Sequence, residues 1–181
     1  MTNIFAHKMS IATSAKAQRG VTLMELIAGL AVMSVIVVGA VSLYSSATSS
    51  EQSTSLQRDI GALQAATRQI FNGQGTYGTV RLNDLLKTAN KVPSTLAVSG
   101  TGASMVYKTR SNGDVTITGN GGTFNIEITN VAADLCVPLL TNAAGWSSIL
   151  VAGGTAQTTF PITPAAAQTE CGKGTTLTFT N

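Results

Sequence analysis

The sequence predicts an α+β fold, with one long N-terminal helix packed on an antiparallel β-sheet. Three observations carry this. Residues 21–44 are apolar apart from Thr22, Glu25 and two serines. Leu56, Ile60, Leu63, Thr67 and Ile70 then follow one another at i+3 and i+4 spacing, an amphipathic stripe that continues the helix. Segments that alternate between apolar and polar residues occupy 104–129 and read as strands.

The helix is expected from about Thr22 to Asn72, roughly 75 Å at 1.5 Å per residue. Its first half is apolar all round and needs lipid or other helices. Such a run is long enough to span a bilayer, which takes roughly 20 residues. Gly29 and Gly39 lower helix propensity there, but small residues permit close helix packing in a membrane. In the second half, Arg58, Asp59, Gln64 and Arg68 fall off the stripe. "NGQG" at 72–75 stops the helix, because Asn and Gly suit left-handed C-caps.

Residues 73–103 read as irregular, with a short helix at 81–90 in which Leu82, Leu85 and Leu86 share a face. "SMVYKT" (104–109), "DVTITG" (114–119) and "TFNIEIT" (123–129) predict a three-stranded meander. Asn112-Gly113 is a strong hairpin signal between the first two strands. Phe124, Ile126 and Ile128 should face the helix, with Asn125, Glu127 and Thr129 outward. A short helix is expected from Asn130, with Pro138 near its end. "TAQTTF" (155–160) and "GTTLTFT" (174–180) read as further strands. "TPAAAQTEC" (163–171) reads as a helix with Thr163 as N-cap and Pro164 at its first position.

Composition excludes several functions. Of eleven Lys and Arg, Lys8, Lys16 and Arg19 precede residue 20, so the remaining eight face eight acids. The balance after residue 20 is zero, which removes the formal charge of +3 as an argument for nucleic-acid binding. The single histidine, His7, lies in the basic lead-in. No imidazole base remains beyond it, and the acids lack zinc-site or triad spacing. No catalytic residue, metal or cofactor is predicted. "GQGTYG" and "GGTAQTT" lack the GK[ST] ending of a phosphate loop and read as turns. Cys136 and Cys171 are too far apart for a CxxC motif. In an exported chain they read as one disulfide, the alternative being two separate buried thiols.

The lead-in joins the apolar run as "KAQRGVTLMELIAGL". An ordinary secretory signal has a shorter apolar region followed by its cleavage site. Here the predicted cut, between Gly20 and Val21, precedes the run. It creates an amine four residues before Glu25. A carboxylate at the centre of a membrane helix costs about 2.5–3.5 kcal/mol, and less near an end. The new amine can offset that cost, within one chain or from a neighbour, because residues 20–57 contain no Lys or Arg.

"RGVTLMELI" followed by an apolar helix resembles the class III signal of type IV prepilins. The 20-residue lead-in and Val21 in place of Phe are similar to the type IVb class, which includes toxin-coregulated, bundle-forming and conjugative thin-pilus subunits. The resemblance implies the type IV pilin fold, with a membrane-embedded first half of the helix and a C-terminal region bounded by a Cys136–Cys171 disulfide. It also implies a membrane-embedded prepilin peptidase that cuts after Gly20 and N-methylates Val21. Further implied partners are an inner-membrane assembly machinery, the membrane before assembly, identical subunits in a helical filament, and a host or recipient cell surface.

The expected organisation is a leader at 1–20, an apolar transmembrane and filament-core helix at 21–48, its amphipathic continuation at 49–73 and an α+β head at 74–181. The expected function is a structural subunit of an extracellular type IVb pilus, serving adhesion, aggregation or conjugative mating contact. Two alternatives share parts of the signal: a minor pilin or type II secretion pseudopilin, and a membrane-anchored periplasmic binding module. Inside the disulfide loop, Gln157, Thr158 and Thr159 are candidate surface contacts. Trp146, the only tryptophan, reads as a core anchor or a contact residue.

Overall fold

A computed structural model describes residues 22–181. They form four helices, α1 (Leu23–Ile70), α2 (Asn83–Thr88), α3 (Ala133–Thr141) and α4 (Pro164–Cys171), with a 3-10 turn at Gly102–Ser104. Six strands accompany them: β1 (Ala97–Ser99), β2 (Val106–Lys108), β3 (Asp114–Asn120), β4 (Thr123–Ile128), β5 (Ser148–Val151) and β6 (Leu177–Thr180). The chain divides into two compact units, the first ending at Ser42 and the second covering Leu43–Asn181.

The described part of the first unit is the opening of α1. Its most apolar 18-residue window has a mean hydropathy of 2.6, and none of that window is buried. Leu23, Met24, Val35 and Val38 are each at least 70% exposed.

The second unit is built on one sheet in the order β1-β2-β3-β4-β6-β5, antiparallel throughout. The predicted meander is present as β2, β3 and β4. Asn112 takes a positive φ of 59° in its first turn, and Gly121 takes 61° in its second. Phe124, Ile126 and Ile128 are fully buried, while Asn125 and Thr129 are partly exposed and Glu127 exposed. On α1, Leu56, Ile60, Leu63 and Thr67 are buried, as the stripe requires, together with Ser53, Asp59 and Ala66. Burial of side chains such as Leu63 and Ile126 contributes about 1.5–3 kcal/mol each.

Four readings need correction. Residues 155–160 do not form a strand. The strand is Ser148–Val151, where Ile149 and Val151 are buried against β6 and the intervening positions are not. "TAQTTF" offers no comparable apolar face, and only Gln157 bridges to Ile149. The helix expected from Asn130 starts at Ala133 instead. Asn130 has a left-handed φ of 55° and Val131 N–H donates to the Thr175 carbonyl, which holds the chain out of the helix. Pro138 sits inside α3, because Leu139 and Leu140 beyond it are buried and continue the helix. Finally, 73–103 contains β1, whose three residues are all exposed and so carry no alternation.

Candidate assembly helix and contact loop

Thr22 opens α1. Its hydroxyl accepts from the Glu25 N–H at 3.3 Å, and its carbonyl accepts from the N–H groups of Glu25 and Leu26 at 3.0 and 3.1 Å. First-turn N–H groups have no partner within the helix, so a Thr before the helix stabilises its start. T-x-x-E is the spacing of a capping box. That signal is present in the sequence, and the structure shows its Thr22 half, the hydroxyl accepting from the Glu25 N–H. A carboxylate in the first turn also faces the positive end of the helix dipole. Glu25 is exposed. Gly20 and Val21 lie outside the described residues. The helix can do little chemistry. What it presents is a continuous apolar surface that water penalises and that lipid or other helices would cover.

In the second unit, the side chains of α1 fasten the C-terminal region. Gln57 Nε2 donates to the Pro138 carbonyl at 3.0 Å, and Gln64 Nε2 to the Gly145 carbonyl at 2.8 Å. Arg68 donates to both Asn181 Oδ1 and the Gly145 carbonyl. Gln64 and Arg68 are two of the polar residues expected off the apolar stripe, and with Gln57 they grip the 138–145 segment along the flank of the helix. Trp146 lies between the rings of Phe124 and Phe179, with centroids 6.5 and 5.2 Å away. It is half-buried and acts as an anchor of the core.

Cys136 on α3 and Cys171 on α4 are joined by a disulfide, with their Cα atoms 5.8 Å apart. Both are buried. Of the three candidate contact residues inside the disulfide loop, Thr158 and Thr159 are exposed. Gln157 is half-buried, and its backbone exchanges two hydrogen bonds with Ile149, at 2.7 and 2.9 Å. Its Nε2 turns back to the Thr155 carbonyl and hydroxyl at 3.2 and 3.3 Å. The three therefore do not form one patch of equivalent side chains.

Glu170 escaped the sequence reading. It is 6% exposed, yet it carries a full set of partners. Its Oε2 accepts from Thr155 N–H at 2.9 Å, and its Oε1 accepts from the Thr155 hydroxyl at 3.1 Å and from Lys173 Nζ at 2.8 Å. The Lys173 ammonium and the Thr155 N–H hold its carboxyl below the ordinary range. An acid in the last turn of a predicted helix, three residues before a lysine that follows the glycine, is the local signal, but the partner at 155 is not visible locally.

The family model described as PilS N terminal matches residues 49–181, well over half of the chain. The chain belongs to the PilS N-terminal family. Its fold is similar to the crystal structure of a type IVb pilin from Salmonella typhi, at 25% identity and a TM-score of 0.57, over 68% of this chain and 95% of that chain. No curated protein sequence matches it. The family match begins at residue 49, whereas the signal-like motif ends before it. Motif and match thus rest on different parts of the chain, and both lead to a pilin of the type IVb class, a structural subunit with a long apolar N-terminal helix and an antiparallel sheet.

Proposed function

We propose that this pilin is the major subunit of an extracellular type IVb pilus. The prepilin sits in the bacterial inner membrane by its apolar helix. The peptidase cuts after Gly20 and methylates Val21, and the assembly machinery moves the subunit into the filament. The observation that carries this reading is the unburied apolar surface of α1 from Leu23 to Tyr44, in a chain whose head is a complete pilin fold. Leaving the membrane loses lipid contacts, and neighbouring helices replace them. Glu25 pairs with a Val21 amine, its own or a neighbour's, and this charge pair sets the position of the incoming subunit. The filament serves adhesion, aggregation or conjugative mating contact through the exposed part of the disulfide loop.

Mass spectrometry and imaging of sheared surface material test the proposal. This pilin should dominate the filaments, with an intact mass that starts at a methylated Val21. A mature terminus at Met1, or one beyond Ser42, defeats it. A protein that stays with the membrane and never appears in the sheared fraction supports a membrane-anchored module instead. Because Gln157 is tied into the fold, the contact surface is tested by changing Thr158 and Thr159 together to Ala. Filaments should form in normal number, while aggregation, attachment or mating changes.

A further inference from the structure

We propose that Glu170 is a positioning residue that fixes the shape of the 152–159 loop, and that the disulfide serves to hold Glu170 beneath that loop. The loop leaves β5 at Val151 and meets the sheet again where Gln157 pairs with Ile149. Ala152 N–H is held by the Thr176 carbonyl at 2.8 Å. Between Ala152 and Gln157 the Gly154 N–H closes a turn on the Val151 carbonyl at 2.8 Å, and the only hold from outside the loop comes from Glu170, through the backbone and the hydroxyl of Thr155. The fit is close: a Cβ added at Gly154 would stand 2.1 Å from Glu170 Oε2. Glycine at 154 therefore lets the loop backbone lie against the carboxylate.

Glu170 is itself placed from two sides. Thr163 caps α4 by accepting from Ala166 N–H, and Ala167 is fully buried one turn before Glu170. The next residue, Cys171, is bonded to Cys136 of α3. Lys173 is the charged group that faces the carboxylate. The position then passes outward, because Gln157 Nε2 bonds to the same Thr155 that Glu170 holds. Thr158 and Thr159 follow directly. The inference deepens the proposed function, since its biological consequence rests on the contact-loop reading.

An ionised carboxylate accepts all three hydrogen bonds. Glu170→Gln leaves one acceptor oxygen and turns an NH2 group toward donors, so at least one bond is lost. The test uses full-length, isotope-labelled protein in detergent micelles. In the wild type, the Thr155 amide resonance should move as Glu170 takes up its proton on acidification. In Glu170→Gln that movement should be absent, and amide exchange at Thr155 should be about tenfold faster at neutral pH. Gly154→Ala, which pushes the carboxylate away from the other side, should speed the same exchange with Glu170 intact. A Thr155 resonance that does not titrate, or exchange unchanged in both variants, overturns the proposal. Cells carrying Glu170→Gln separate the two readings. Normal filament numbers with altered aggregation, attachment or mating support both. A changed Thr155 signal with wild-type behaviour in all three assays supports the positioning role and removes the loop from the contact surface.

Discussion

Asn83 pairs with the edge of β3 at Ile117 as a strand would: its Oδ1 accepts from Ile117 N–H at 2.8 Å, and its Nδ2 donates to the Val115 carbonyl at 3.0 Å. Asn83 is fully buried, and its own carbonyl accepts from the Tyr107 hydroxyl at 2.5 Å. One side chain on α2 thus satisfies two backbone groups of β3 at the edge of its pairing with β2, where Val115 faces Tyr107. It also docks the short helix, whose Leu86 enters the core together with Leu82 just before it.

Replacing Asn83 with Ala should therefore be severe for a polar substitution. It leaves a buried N–H and a buried carbonyl unpaired, each costing about 1–3 kcal/mol. A loss of about 2–4 kcal/mol is expected from denaturant unfolding of the head. A loss below about 1 kcal/mol would mean that water replaces the side chain at no penalty.

The disulfide should matter on a similar scale. For a separation of 35 residues, constraint of the unfolded chain gives about 3.5–4 kcal/mol in the chain-entropy model. Cys136→Ser with Cys171→Ser should lower stability by that order and speed exchange in the 152–157 segment. The unreduced, denatured wild type should offer no alkylatable thiol.

Much of this was legible in the sequence because it is local. The apolar run, the stripe from Leu56 to Ile70 and the alternation in Phe124, Ile126 and Ile128 each repeat with the period of one element. Thr163 and Pro164 announce α4 by their own chemistry. What escaped depends on distant partners. Ser148–Val151 is too short to stand out from "TAQTTF" until β6 lies beside it. Asn83 looks like a helix residue until β3 exposes its edge. Glu170 looks like a solvated acid until Thr155 folds over it. In α1, by contrast, the T-x-x-E spacing is local, and the Thr22 cap it signals is present in the structure.

Asp59 gives a pH prediction. It is buried on α1 and accepts from the Thr95 hydroxyl at 2.5 Å. Burial pushes its carboxyl up from 3.8, while the Thr95 bond and Arg110 pull it down less. The folded state then holds this proton more tightly than the unfolded state does. Stability from this group is greatest at low pH and is lost as pH rises from 3.8 through the raised folded value. Asp59→Asn, which keeps an oxygen for Thr95, should therefore melt higher than wild type at neutral pH, and the gap should narrow in acid. A wild type more stable than the variant at neutral pH would reverse the sign and show that Arg110 outweighs burial. Glu170 acts in the opposite sense. Its lowered value means its contribution is present above the ordinary carboxyl range and is lost as pH falls through the folded value.

Glu25 is an acid in the first turn of α1, and the proposed function also makes it the partner of the Val21 amine. As a first-turn acid opposite the Thr22 cap, it stabilises the start of α1 by about 0.3–1 kcal/mol through the helix dipole. In the proposed pairing with the Val21 amine it would do more, because attraction between unit charges rises steeply as the dielectric falls. Glu25→Ala should permit membrane insertion, since it removes a charge from an apolar segment, but it should impair filament assembly. Thr22→Ala weakens the cap and leaves the carboxylate in place. If pairing governs assembly, Thr22→Ala yields near-normal filament numbers while Glu25→Ala yields few. If capping governs, both variants fall together. Counting filaments by imaging and sheared pilin by mass spectrometry, with membrane-inserted subunit measured alongside, separates these results. Wild-type filament numbers from Glu25→Ala would remove the charge pair from the assembly step altogether.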